Sequence, residues 1–164
     1  MPEWRVHDKW ALRMGVPLNV SRYVNKFIDD PKRCKEYIEF LKCRFREEGI
    51  MLVDDEEYER YEAISFCIRV SDMIGHDSGR RSKHDLHLQL EFLETKGLEY
   101  VRAYYLHHAL DYIATVYPAL TLDEIFTKLD RKIGDHYKEN IRREWLNVKN
   151  FIKNNIKEII EDLK

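Results

Sequence analysis

The sequence predicts an all-α fold: a single compact multi-helix domain of about seven or eight helices with a C-terminal helical extension. Three observations carry that expectation. Apolar residues recur at three- and four-residue steps along most of the chain, the period of one helix face. Turn-formers are sparse, with 6 Gly and 4 Pro in 164 residues, too few for a many-stranded barrel or sandwich. The length suits one core, and 44% of the residues are apolar and available to fill it.

The elements follow in order. His7 to Met14 reads as a short helix stopped by Gly15 and Pro17. Asn19 is placed to cap the next, in which Val20, Tyr23, Val24, Phe27 and Ile28 share a face. Asp30-Pro31 breaks it, and Pro31 suits the first position of a third helix carrying Tyr37, Ile38, Leu41 and Phe45, with Gly49 at its end. Ile50 to Val53 is a short apolar stretch of extended character. Asp54, Asp55, Glu56 and Glu57 then set negative charge at a helix start, where it suits the dipole, and Tyr58, Tyr61, Ile64 and Ile68 carry that helix towards Gly75.

After the polar segment Gly75 to Lys83, the run from Asp85 to Glu94 is ambiguous. Leu86, Leu88, Leu90 and Phe92 alternate like a strand, whereas Leu86, Leu90 and Leu93 step like a helix. Its Leu, Gln and Glu content and the lack of a partner strand favour helix. Gly97 precedes a long apolar helix from Leu98 to Val116, ended near Pro118, and Thr121 to Glu124 is a capping box opening another. Gly134 divides a helical core, residues 1–133, from a terminal helix or helix pair, residues 134–164. Trp145, Val148, Ile152, Ile156, Ile159 and Ile160 line one side of that segment, which packs on the core or on a partner.

Charge and cysteine usage narrow the function. With 28 Lys and Arg against 30 Asp and Glu, the net charge of -2 argues against a wrapping, non-specific nucleic-acid binder. Cys34, Cys43 and Cys67 are odd in number and lack CxxC spacing, so neither a disulfide framework nor a zinc ribbon is expected. No apolar run approaches the ~20 residues of a bilayer span, and MPEWRVHDKW has no apolar signal core. A soluble, cytoplasmic protein with no membrane association is expected. Abundant Lys, Glu, Ile and Tyr suggest a thermophilic source. No GxSxG elbow, Walker loop or GxGxxG fingerprint occurs.

The histidines are the informative residues. His76-Asp77 stands in the central polar segment, His84 and His87 flank Asp85, and His107 and His108 precede Asp111 on the long apolar helix. Residues three or four apart share a helix face, so either His107 or His108 can pair with Asp111, but the two point about 100° apart and compete. His136 stands alone and reads as a surface residue. Imidazoles and carboxylates converging from several helices suit a divalent Mn, Fe, Co, Ni or Zn ion. Such an ion can polarise a phosphoryl oxygen and acidify a bound water. Beside His76-Asp77, Arg80, Arg81 and Lys83 with Ser78 and Ser82 suit phosphate, because guanidinium groups bind it bidentately.

The segment MIGHDSGR, Met73 to Arg80, resembles the HDxGR core of the HD-domain metal-dependent phosphohydrolases. That helical family combines an early His, the His-Asp pair and a later Asp on a helix. The resemblance maps these onto His7, within HDKWALRMGVP, onto His76 and Asp77, and onto Asp111, within LHHALDYIA. It implies His7, His76, Asp77 and Asp111 as metal ligands, with His76, Asp77 and Arg80 at the chemistry. Arg80, Arg81, Lys83, His84, His107 and His108 are then substrate contacts or extra ligands. The implied substrate is a phosphorylated small molecule, a nucleotide or nucleic acid.

The competing reading is a non-enzymatic helical module that binds nucleic acid or protein. Its histidines are structural, and it dimerises through its aromatic and apolar helix faces. Arg142, Lys149, Lys153 and Lys157 step by seven, four and four along one helix side, with Lys138 just before, and would join Arg80 and Arg81 in one basic surface. Interspersed Glu139, Glu144, Glu158 and Glu161 favour an ordinary solvated face.

Overall fold

The computed structural model describes residues 2–47 and 83–164, with side chains for 2–44 and 85–164. Among these residues all regular structure is helical. The α-helices are α1 (Trp4–Arg13), α2 (Leu18–Asp29), α3 (Lys35–Glu47), α4 (Lys83–Glu94), α5 (Leu98–Val116), α6 (Leu122–Lys132) and α7 (Glu139–Asp162), with a 3₁₀ turn at Pro31–Arg33. The extended stretch expected at 50–53 and the helix expected from Asp54 to Gly75 lie outside the described residues.

Local chemistry sets the boundaries. α1 begins at Trp4, a little before His7, and closes where Gly15 adopts φ +85° and the Val16 N–H reaches the Ala11 carbonyl at 2.9 Å. A left-handed residue just past a helix is the usual place for glycine. Asn19 does not cap α2. Pro17 holds the extended N-cap position, its carbonyl already accepts from the Ser21 N–H at 3.0 Å, and Asn19 falls in the first turn. The break after α2 is longer than a single proline step, because Cys34 is extended between the Pro31–Arg33 turn and α3. The box at Thr121 forms as expected. Thr121 Oγ1 accepts from the Glu124 N–H, and the Glu124 carboxylate accepts from the Thr121 N–H at 2.8 Å.

α4 is helical despite its alternating leucines. Leu86, Leu88, Leu90, Phe92 and Leu93 are all buried, together with Asp85, Gln89 and Glu91. A helix covered on nearly every side has no polar face to print a period. α5 is more enclosed still: every residue from Ala103 to Ile113 is buried. It is the axis of the fold and packs against α1, α2, α4, α6 and α7.

α7 is one 24-residue helix whose Ile141, Trp145, Val148, Ile152 and Ile159 are buried in the common core. Its far end is tied to α1. Asp162 Oδ2 takes Lys9 Nζ at 2.5 Å and the Trp10 indole N–H at 2.9 Å, and Glu158 takes Arg13 at 2.6 Å. At its near end Trp145 lies over Gly134 and donates Nε1–H to Asp130 Oδ1 at 2.7 Å.

His136 is buried, contrary to the surface position its isolation in the sequence suggested. The α6–α7 link folds back on α4, placing the His136 ring 4.7 Å from that of His87 while its Nδ1 accepts from the Lys138 N–H at 3.0 Å. Next to it, buried Glu91 accepts from the Tyr137 hydroxyl at 2.5 Å and pairs with Arg44 at 3.0 Å. No helix among the described residues is long and apolar enough to cross a membrane.

Candidate metal centre

Three helices build the site. α5 presents His107 and Asp111 one turn apart, and their side chains meet as i, i+4 neighbours do, with His107 Nε2 3.2 Å from Asp111 Oδ2. α1 packs on α5, and its buried face, with Trp10 and Ala11, carries His7 inward, its Nε2 3.1 Å from the other carboxylate oxygen, Oδ1. All three side chains are at most 4% exposed. The His7 and His107 rings stack with centroids 4.0 Å apart and planes 11° from parallel.

From α2, Asn25 Oδ1 meets His107 Nδ1 at 2.8 Å. Asn25 is held in turn by Asp8, whose Oδ1 accepts from Asn25 Nδ2 at 3.3 Å and from the Ser21 hydroxyl at 2.7 Å. Arg22 Nε donates to Asp8 Oδ2 at 3.3 Å.

Burial and pairing pull the charges in opposite directions. Burial disfavours an ionised Asp111, but the two imidazoles beside it prevail and hold its carboxyl well below the ordinary range. Burial drives the His7 imidazole below its usual value, with the His107 ring adding to that and Asp111 opposing it. The centre is therefore an anionic oxygen pair between imidazoles, sealed from solvent.

One imidazole nitrogen from each histidine and one Asp111 oxygen lie within 4.8 Å of one another, so the cluster could hold a metal ion. Two features of the structure fit that use. The donor set of two imidazoles and a carboxylate suits first-row transition metals. Among the described residues, Asp111 Oδ1 and His7 Nδ1 are buried without a hydrogen-bond partner. The two rings are held unequally: the hydrogen bond to Asn25 restrains His107, while among the described residues His7 Nδ1 has no such partner.

The chain matches no family model, no curated protein and no solved structure. The site thus rests on its own geometry.

The structure brings together His7, His107 and Asp111 and resolves the competition on α5 in favour of His107. His108 points away, fully buried, its ring 4.4 Å from that of Tyr104 in an edge-on contact. His76, Asp77, Arg80 and Arg81 lie outside the described residues, and Lys83 and His84 are described only as backbone at the start of α4. Sequence reasoning did not single out Asn25. Its signal was a polar pair, Ser21 and Asn25, one turn apart beside the apolar positions Val20, Val24 and Ile28.

Members of the basic stripe have partners within the fold. Lys138 pairs with Glu94 at 2.9 Å, Lys149 with Asp130 at 2.6 Å, and Arg142 donates to the His136 carbonyl at 3.1 Å. Lys153 sits 5.2 Å from the centre of the Phe126 ring.

Proposed function

We propose that the protein is a metal-dependent hydrolase of HD-like type acting on a phosphoester or nucleotide, with His7, His107 and Asp111 at its metal centre. The observation that carries this reading is the meeting of His7 with Asp111. These are the first and last ligands of the sequence pattern, and they share one buried carboxylate centre although they come from distant helices. The basic stripe supports the competing binding-module reading poorly, since three of its five cations already hold hydrogen-bonding partners within the fold.

A divalent ion bound there supplies Lewis acidity and an acidified water. The chain's own contributions are separate. Asp111 provides the anionic oxygens, His107 and His7 the neutral nitrogen donors, and the surrounding helices exclude bulk water, which strengthens every charge interaction at the centre. His76 and Asp77 are the further ligands this reading requires, and Arg80 and Arg81 its phosphate contacts.

Elemental analysis of protein purified without chelator tests it, beside Asp111→Ala and Asp77→Ala. The expected result is near-stoichiometric Mn, Fe, Co, Ni or Zn that is lost in both variants while helicity persists. Hydrolysis of a phosphoester panel should be abolished in both. Absence of metal after incubation with each of these ions would overturn the proposal.

A further inference from the structure

We infer that Asn25, steered by Asp8, is a positioning residue that holds a proton on His107 Nδ1, so that Nε2 is the nitrogen turned towards Asp111. This deepens the metal-centre reading and rests on it for its purpose, though not for its geometry.

The argument starts at Asp8. An ionised carboxylate only accepts hydrogen bonds. The Asn25 atom facing Asp8 Oδ1 at 3.3 Å is therefore the amide NH₂, and the Ser21 hydroxyl and Arg22 Nε donate to the same carboxylate. That orientation leaves the Asn25 carbonyl oxygen facing His107 Nδ1 at 2.8 Å. A carbonyl also only accepts, so Nδ1 carries a proton, and Nε2 is the nitrogen left to face Asp111.

Nε2 stands 3.2 Å from Asp111 Oδ2. Histidines that ligate metals ordinarily donate their second N–H to an oxygen acceptor, which orients the ring and fixes the metal-facing nitrogen. Asn25 is that acceptor here. Among the described residues His7 Nδ1 has no such partner, so the two imidazoles are unequal and only His107 is pre-set.

The test reads the tautomer without metal or activity. In metal-free protein with ¹⁵N-labelled histidine at mildly alkaline pH, long-range ¹H–¹⁵N correlation should show His107 protonated on Nδ1. Asn25→Leu, which keeps the bulk and removes the acceptor, should move the proton to Nε2 and weaken Co(II) binding by at least about tenfold. The exchange variant Asp8→Asn with Asn25→Asp trades the amide and the carboxylate. It keeps an acceptor at position 25 and should restore both the tautomer and the affinity. A parent His107 protonated on Nε2 and not on Nδ1 overturns the inference whether or not any variant folds. So does an Asn25→Leu protein, or an exchange variant, whose tautomer goes against expectation. A parent with the expected tautomer that binds no Co(II) would instead remove the metal-centre reading and leave the positioning assignment standing.

Discussion

Replacing Gly134 with alanine tests how α7 is seated on the fold. A Cβ at this buried position would fall inside the van der Waals envelope of Trp145 Nε1 and Cδ1, and 3.0 Å from the Asp130 Cα. Gly134 does not have a positive φ, so the cost is one of space and not of backbone strain. The indole must move, and it loses the 2.7 Å bond to Asp130, about 1 kcal/mol. Crowding a packed core adds about 1–3 kcal/mol. The stiffer unfolded chain of the alanine variant returns about 0.4–1 kcal/mol. The net loss is roughly 1–3.5 kcal/mol, which for a chain of this size lowers Tm by about 2–14 °C. Urea denaturation gives the free energy directly. Trp145→Phe, which removes the pyrrole edge, should relieve part of the penalty, so the double variant should be less destabilised than additivity predicts. Gly15→Ala is the comparison, because a Cβ there meets nothing within 4 Å and only its φ of +85° is penalised. A Gly134→Ala protein within about 0.5 kcal/mol of the parent, or strict additivity with Trp145→Phe, would refute this account of the α6–α7 corner.

Two further outcomes follow from the geometry. Thr121→Ala removes the two hydrogen bonds at the start of α6 that need the hydroxyl, keeps the one from the Thr121 N–H, and should lower Tm by roughly 2–4 °C in a thermal melt, while Thr121→Ser changes it little. Acidification should destabilise the metal-free protein in a defined window. Burial depresses the folded-state values of His7 and His136 below 6.5, so the unfolded chain binds protons first, and stability falls as pH drops below that value. Melts at pH 7, 6 and 5 should show a steady loss, and a flat Tm across that range would contradict the burial of these two rings. Asp111, whose folded-state value is also depressed, adds a second loss in the carboxylate range at lower pH.

The sequence made the helices legible where one face was wet. Val20, Val24 and Ile28 repeat against exposed Arg22 and Lys26, and the end of α2 was placed at Asp29 and its start two residues late, because Pro17 and not Asn19 is the cap. It was misleading where an element is enclosed: the alternating leucines of α4 copy a strand because a buried helix has no reason to keep a polar side. His7, His107 and Asp111 were each marked by chemistry, but only the structure decided between His107 and His108, since both spacings are geometrically allowed on a helix. His136 was misread because an isolated histidine says nothing about a link that folds back over another helix. Asn25 escaped notice for a related reason: its role comes from Asp8 and His107, neighbours contributed by two other helices.

The enclosure of α5 has a consequence for how the site can be observed. Amide hydrogens on a helix sheathed by five others exchange with solvent through opening of the whole molecule, not through local fraying. The amides around His107 and Asp111 therefore act as a clock on global unfolding. An ion seated between those side chains should slow that clock by the same factor along the entire buried stretch, Ala103 to Ile113, so that occupancy of one centre is written across the length of the helix.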